Sequence, residues 1–175
     1  MPKRFILHPA LGWNELTAYN DDVVGALRLY FSPASPGFAA RFVGRTREEV
    51  RSELQSRLNE SDLRSALAVL TSLEARFQID FDYRCRKRLK DSLSQDCRKI
   101  KSKHKEKVPL DEILAVWKKH GPHPAVVSEL RGAFKFRHWL AHGRYWERPK
   151  LGGKYDFFGV QLIARGILTA FPLEV

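Results

Sequence analysis

Apolar positions recur at helical spacing along most of the chain. Val50, Leu54 and Leu58 follow one another every four residues, and Leu63, Leu67, Leu70, Leu73 and Phe77 continue at spacings of four and three. Such spacing places the side chains on one face of a helix. Thr46, with Glu48 and Glu49 behind it, predicts a helix start. Asn59 to Ser61 predicts a break, and Ser61 the cap of a second, longer helix over about 62–82. Before these, DDVVGALRLYF (21–31) predicts a short helix with acids in its first turn, behind an irregular arm over 1–20. SPASPG (32–37) predicts a turn, and GFAARFVG leaves strand and helix open. Pro109 starts LDEILAVWKKH, which Gly121 stops. Pro122 and Pro124 open a further helix through Val126, Val127, Leu130 and Phe134 into RHWLAHGRYW (137–146). RPKLGGK predicts a loop, and 154–171 a last buried helix carrying Phe157, Val160, Ile163 and Ile167. The sum predicts one all-α domain over 1–175, a helical bundle with short connections, in which 1–45 is a less regular N-terminal arm.

Charge changes the picture at one place. The net charge is +11, and such a chain favours nucleic acid, an acidic membrane surface or an acidic partner protein. Residues 84–107 hold eleven Lys or Arg against three acids. Their apolar residues, Cys85, Leu89, Leu93, Cys97 and Ile100, form a narrow stripe, which predicts a helix with one docked edge and a wide solvated face. That face is either a solubilising connection or a phosphate-binding surface. Its candidates are Arg84, Arg86, Lys87, Arg88, Lys90, Arg98 and Lys99, with Arg144 added from the segment at 137–146.

No run approaches the roughly 18–20 apolar residues of a membrane span. The N-terminal apolar run is short and broken by His8 and Pro9, so no signal peptide is expected and a cytoplasmic location is. Cys85 and Cys97 are the only cysteines. If the segment between them is one helix, they lie about 18 Å apart along its axis, too far for a disulfide.

RHWLAHGRYW crowds Arg137, His138 and His142 into six residues. On a helix His138 and His142 align, whereas Arg137 and His142 point apart and need a helix end or a second chain to converge. Three chemistries fit. His138 and His142 form the i, i+4 pair of a zinc helix, but Trp139 stands where HExxH has its Glu, and nothing in the spacing selects His120 or His123 as a third ligand. The cluster can also be structural, with hydrogen bonds and cation–π contacts at a helix surface. The third chemistry is metal-free cleavage of RNA, whose 2′-OH is its own nucleophile. That needs an imidazole to move a proton and a guanidinium to hold the phosphate.

Arg137, four residues, then His142 resembles the R-x4–6-H motif of HEPN-domain proteins, and His138 fits the polar residue that often follows the arginine there. The resemblance implies an all-α bundle with the motif near its end. It also implies metal-independent endoribonuclease activity without cofactor, often in toxin or defence systems, and a homodimer whose two copies line one cleft. By that resemblance His142 is the general base or acid, Arg137 holds the phosphate and His138 orients either. An acidic residue on an earlier helix would join them, Glu74 first and Asp80 second. RNA is the expected substrate, and an acidic antitoxin or regulatory protein a further partner. Arg144 stands where some members, paired with a nucleotidyltransferase antitoxin, have a tyrosine, so that pairing is not implied. The rival expectation is a non-catalytic module binding RNA, a nucleotide or a protein.

Overall fold

One helix runs through both cores of the molecule. The computed structural model describes residues 12–144, 147 and 155–174. Among them are seven α-helices and no strand: α1 (Trp13–Tyr30), α2 (Phe38–Arg41), α3 (Arg47–Lys87), α4 (Ser92–Lys101), α5 (Leu110–His120), α6 (Pro124–Ala141) and α7 (Phe157–Ala170). The chain is an all-α helical bundle. Neither the first eleven residues nor the RPKLGGK loop lies within the described residues.

Helix α3 has 41 residues, about 60 Å at 1.5 Å per residue. Thr46 caps it as predicted, with a reciprocal bond from its own backbone N–H to the Glu49 carboxylate at 2.7 Å. The break predicted at Asn59–Ser61 does not occur. Asn and Ser cost a helix only tenths of a kcal/mol, about 0.5 each, and here their neighbours are bonded in place. Gln55 donates to Asn59 at 2.8 Å, and Arg64 to Glu60 at 3.1 Å. What changes between Leu58 and Leu63 is the core being served. Before it, Val50 and Leu54 pack on a small cluster with Phe31, Phe42, Leu27 and Phe38. After it, Ala66, Val69, Leu70, Leu73, Phe77 and Phe81 enter the main core beside Trp117, Phe136, Leu130 and Ile167. The five-residue step from Leu58 to Leu63 turns the stripe by about 140°, toward the second core.

Two other expectations need correction, and one assignment left open is resolved. The predicted short helix at 21–31 is the second half of α1, which starts at Trp13, so 13–20 are helical and not part of an irregular arm. GFAARFVG contains the single turn α2. The basic segment 84–107 is not one helix. Arg88 ends α3 in a left-handed conformation, φ 50°, and Asp91 caps α4 by accepting from the Ser94 N–H at 2.9 Å. α4 then folds back against α3, which removes the axial separation of Cys85 and Cys97. Both thiols are free, and burial, with the neighbouring Cys85, pushes Cys97 up to about 12.

Asp62 explains how α7 is seated. Its carboxylate accepts from the Phe157 N–H at 3.1 and 3.2 Å while Asp156 accepts from Gly159, so two acids cover the helix N-terminus. No helix of the described residues is long and apolar enough to cross a membrane.

Candidate functional site

Phe136 and Trp139 anchor the last turns of α6 in the core, their rings stacked 5.7 Å apart. That anchoring turns Arg137 toward α3 and leaves His138 exposed. On α3, Leu73 and Phe77 are buried and Glu74 sits between them, 18% exposed at its side chain. The Arg137 Nη2 forms an ion pair with the Glu74 Oε2 at 2.9 Å, and the Lys107 ammonium stands 3.6 Å from the other oxygen. The Arg137 Nε is buried and has no hydrogen-bond partner among the described residues. Glu74, the acidic residue picked for an earlier helix, is therefore the one that meets Arg137.

Helix α6 ends where the motif ends. His142 is its C-cap, Gly143 is left-handed at φ 79°, and the Gly143 and Arg144 N–H groups reach back to the carbonyls of Leu140 and Trp139. This is a Schellman turn. The His138 and His142 rings lie 4.2 Å apart, tilted by 52°. Arg137 and His138 both line an open groove of about 490 Å³ between the start of α5 and the outer face of α6. Glu74, Arg137, His138 and, through its contact with His138, His142 thus form one constellation.

The remaining residues expected to contact RNA fall elsewhere. Arg84 does not face solvent: it is 4% exposed. Its Nε donates to both Asp80 oxygens at 2.9 and 3.0 Å, Nη1 to Ser94 at 3.3 Å and Nη2 to the Pro172 carbonyl at 2.7 Å. Its guanidinium also lies over the Trp117 ring. Arg84 is a core residue because α4 and the chain end close over it. Asp80, the second acidic candidate, is consumed in the same pair and also accepts from the Glu174 N–H. Arg98 is half-buried and donates to the Leu89 carbonyl. Arg86 pairs with Asp82 and Lys99 with Asp96, both at 2.8 Å. Lys87 stands 6.0 Å over the Tyr83 ring, and Arg88 and Lys90 are exposed. Arg144 makes a two-pronged pair with Glu60 at 2.9 and 3.0 Å, which lowers Glu60 and raises Arg144 from their ordinary values.

His120 and His123 do not reach the histidine pair. His120, at the far end of α5, bonds Asp96 at 2.8 Å and Ser92 at 3.2 Å. His123 lies at the opposite end of α6, against Phe171. Among the described residues no three His, Cys, Asp or Glu side chains converge on a point suited to a metal ion.

The residues expected at the site leave out part of a cationic stripe. Arg131, Lys135, His138 and His142 follow at spacings of four, three and four, one face of α6. The same periodicity test applied to apolar residues would have found it. Lys107 was missed because only the fold brings it to Glu74.

No family model, curated protein or solved structure matches the chain.

Proposed function

We propose that the chain is a metal-independent endoribonuclease. The observation that carries this is the Glu74–Arg137 pair at an open groove, continuous with His138 and His142 at the end of α6. His142 takes the proton of a ribose 2′-OH as that oxygen attacks the adjacent phosphorus, or returns a proton to the departing 5′-oxygen. Arg137 holds the phosphate as charge builds on its oxygens, and His138 orients His142 or shares the phosphate. The products are a 2′,3′-cyclic phosphate and a 5′-hydroxyl. Glu74 fixes the direction of the Arg137 fork.

A homodimer suits this site. Glu60 holds Arg144 and Asp62 holds the start of α7, so neighbouring positions of α3 seat both the end of α6 and the first turn of α7. On that part of α7, Phe158 and Leu162 are 67% and 56% exposed. An exposed i, i+4 apolar pair near the site fits a second copy, whose histidines would then share the cleft. A toxin or defence role, with an acidic protein covering the basic surface, fits the same chemistry.

The test is end-labelled RNA incubated with the protein in EDTA, comparing wild type with Arg137→Ala and His142→Ala. Cleavage by wild type alone, leaving cyclic ends, is the expected result. RNA bound but uncut by all three proteins would replace this reading with a non-catalytic binding module, which the neutralisation of Arg137 by Glu74 favours. Cleavage surviving both substitutions would move the site elsewhere.

A further inference from the structure

The groove beside Arg137 has more in it than a phosphate needs. Pro109, Leu110 and Phe134 give it an apolar floor. Arg131 and Lys135 stand along one wall from α6, and Asp111 projects from the first turn of α5, 3.3 Å from the Arg131 guanidinium. Lys107 stands at the Glu74 end. A site for phosphate alone needs cations and N–H groups, not hydrocarbon. A site for duplex RNA needs a surface that follows two backbones, and the bases of a duplex are stacked away from any such floor. An apolar floor between a cationic wall and a carboxylate matches one unpaired nucleotide. Its base lies flat on hydrocarbon, its polar edge meets a carboxylate or guanidinium, and its phosphate meets the cations. A groove of about 490 Å³ falls within the range of small-molecule sites.

We infer that this groove seats one unpaired nucleotide of the RNA next to the phosphate held by Arg137, so that the chain selects single-stranded RNA. The inference rests on the reading that Arg137 takes an RNA phosphate. The base rests on Pro109, Leu110 and the Phe134 edge. Asp111 accepts from a base amino or ribose hydroxyl group, and Arg131, released from Asp111, donates to a base carbonyl or a flanking phosphate. Lys135 and Lys107 hold the backbone on either side.

The test is equilibrium binding of fully 2′-O-methylated RNA, which lacks the nucleophile and cannot be cut, as a single strand and as a duplex of equal length. The full chain is compared with Leu110→Asp and with the surface double variant Asp111→Ala/Arg131→Ala. Wild type is expected to prefer the single strand by about 10-fold or more. Both variants should bring the two affinities within about 2-fold of each other. Leu110 is half-buried, so the double variant carries the test if Leu110→Asp fails to fold. Equal wild-type affinity for the two forms overturns the inference, as does a preference that survives the double variant. Cleavage is read separately in EDTA. A single-strand preference without cleavage keeps the groove and removes the nuclease. Cleavage without the preference does the reverse.

Discussion

Arg84 and Arg137 each face a carboxylate of α3, and the two pairs are spent differently. Asp80 and Glu74 are six residues apart, about 9 Å along the axis. Around Arg84 each nitrogen of the guanidinium has a protein partner, and the side chain is 5% exposed. Around Arg137 a single ion pair with Glu74 engages the fork, the side chain is 28% exposed, and Nε has no hydrogen-bond partner among the described residues. A guanidinium has five N–H donors. Where the fold gives every nitrogen a partner, the arginine holds the fold together; where it engages one, the rest of the fork is left for a ligand.

Removing each arginine separates these roles most sharply. Arg137→Ala is expected to lower RNA cleavage by about 10²–10⁴ while changing urea-denaturation stability by less than about 1 kcal/mol, because its pair is partly solvated. Arg84→Ala should do the opposite. It leaves the Asp80 carboxylate buried and uncompensated, a loss of about 3–5 kcal/mol, and the protein that remains folded should cleave at the wild-type rate. Unfolding of Arg137→Ala, or wild-type stability of Arg84→Ala, would erase the distinction.

That distinction was invisible in the sequence. Arg84 and Arg86 flank the same cysteine in a run of cations, and only the αL turn at Arg88, which lays α4 over α3, decides that one is buried. A run of like charge reads as a solvated face, and which of its members is buried is decided only by the element that docks on it. The apolar stripes, by contrast, carried α5, α6 and α7 almost to their ends. The helix break misplaced at Asn59–Ser61 came from reading a rotated stripe as a stopped one. Arg137, His138 and His142 stood out because they share six residues of chain, and Glu74 was picked only because the family resemblance calls for an acidic residue on an earlier helix. Lys107, Asp111 and the groove floor come from other segments, and no spacing within α6 points to them.

The cations that are not paired sharpen the comparison next. Lys101, Lys103 and Lys105 are exposed and make no ion pair among the described residues, whereas Arg86 and Lys99 already hold carboxylates. Replacing the three lysines by Gln should reduce the slope of log affinity for single-stranded RNA against log salt by about 2, at roughly 0.7 per phosphate contact. Replacing Arg86 and Lys99 should reduce it by less per residue. Equal changes per charge would mean that RNA binding opens the surface pairs.

Acid titration distinguishes two aspartates by sign. Burial pushes the Asp80 carboxyl up, so the folded chain takes its proton more readily than the unfolded chain does. Its contribution to stability is present below the ordinary value of 3.8 and is lost as pH rises through the folded value. Bonds from Lys119, Lys99 and His120 hold Asp96 well below its ordinary value. Its contribution is present above 3.8 and is lost as pH falls toward the folded value. Melting temperatures between about pH 3 and 7 should therefore respond oppositely. Asp96→Asn flattens the acid-side loss of stability, whereas Asp80→Asn steepens it by removing a group that, like Asp62, gains from acid. Parallel profiles would mean that the Asp80 pair is open to solvent.

The smallest effect concerns the turn that ends α6. Gly143 has φ 79°, and a Cβ there would meet none of the described residues within 4 Å. The cost of Gly143→Ala is therefore backbone strain alone, about 1 kcal/mol, and Gly143→Asn should cost less because Asn tolerates the left-handed region. Arg144, itself left-handed at φ 56°, is held by Glu60 and resists relaxation of the turn. The strain then falls on the C-cap, His142. Cleavage by Gly143→Ala should drop by more than its loss of folded protein explains, and Gly143→Asn should recover most of it. If both variants cleave in proportion to their folded fraction, the Schellman turn only stops the helix, and the His138–His142 contact does not depend on it.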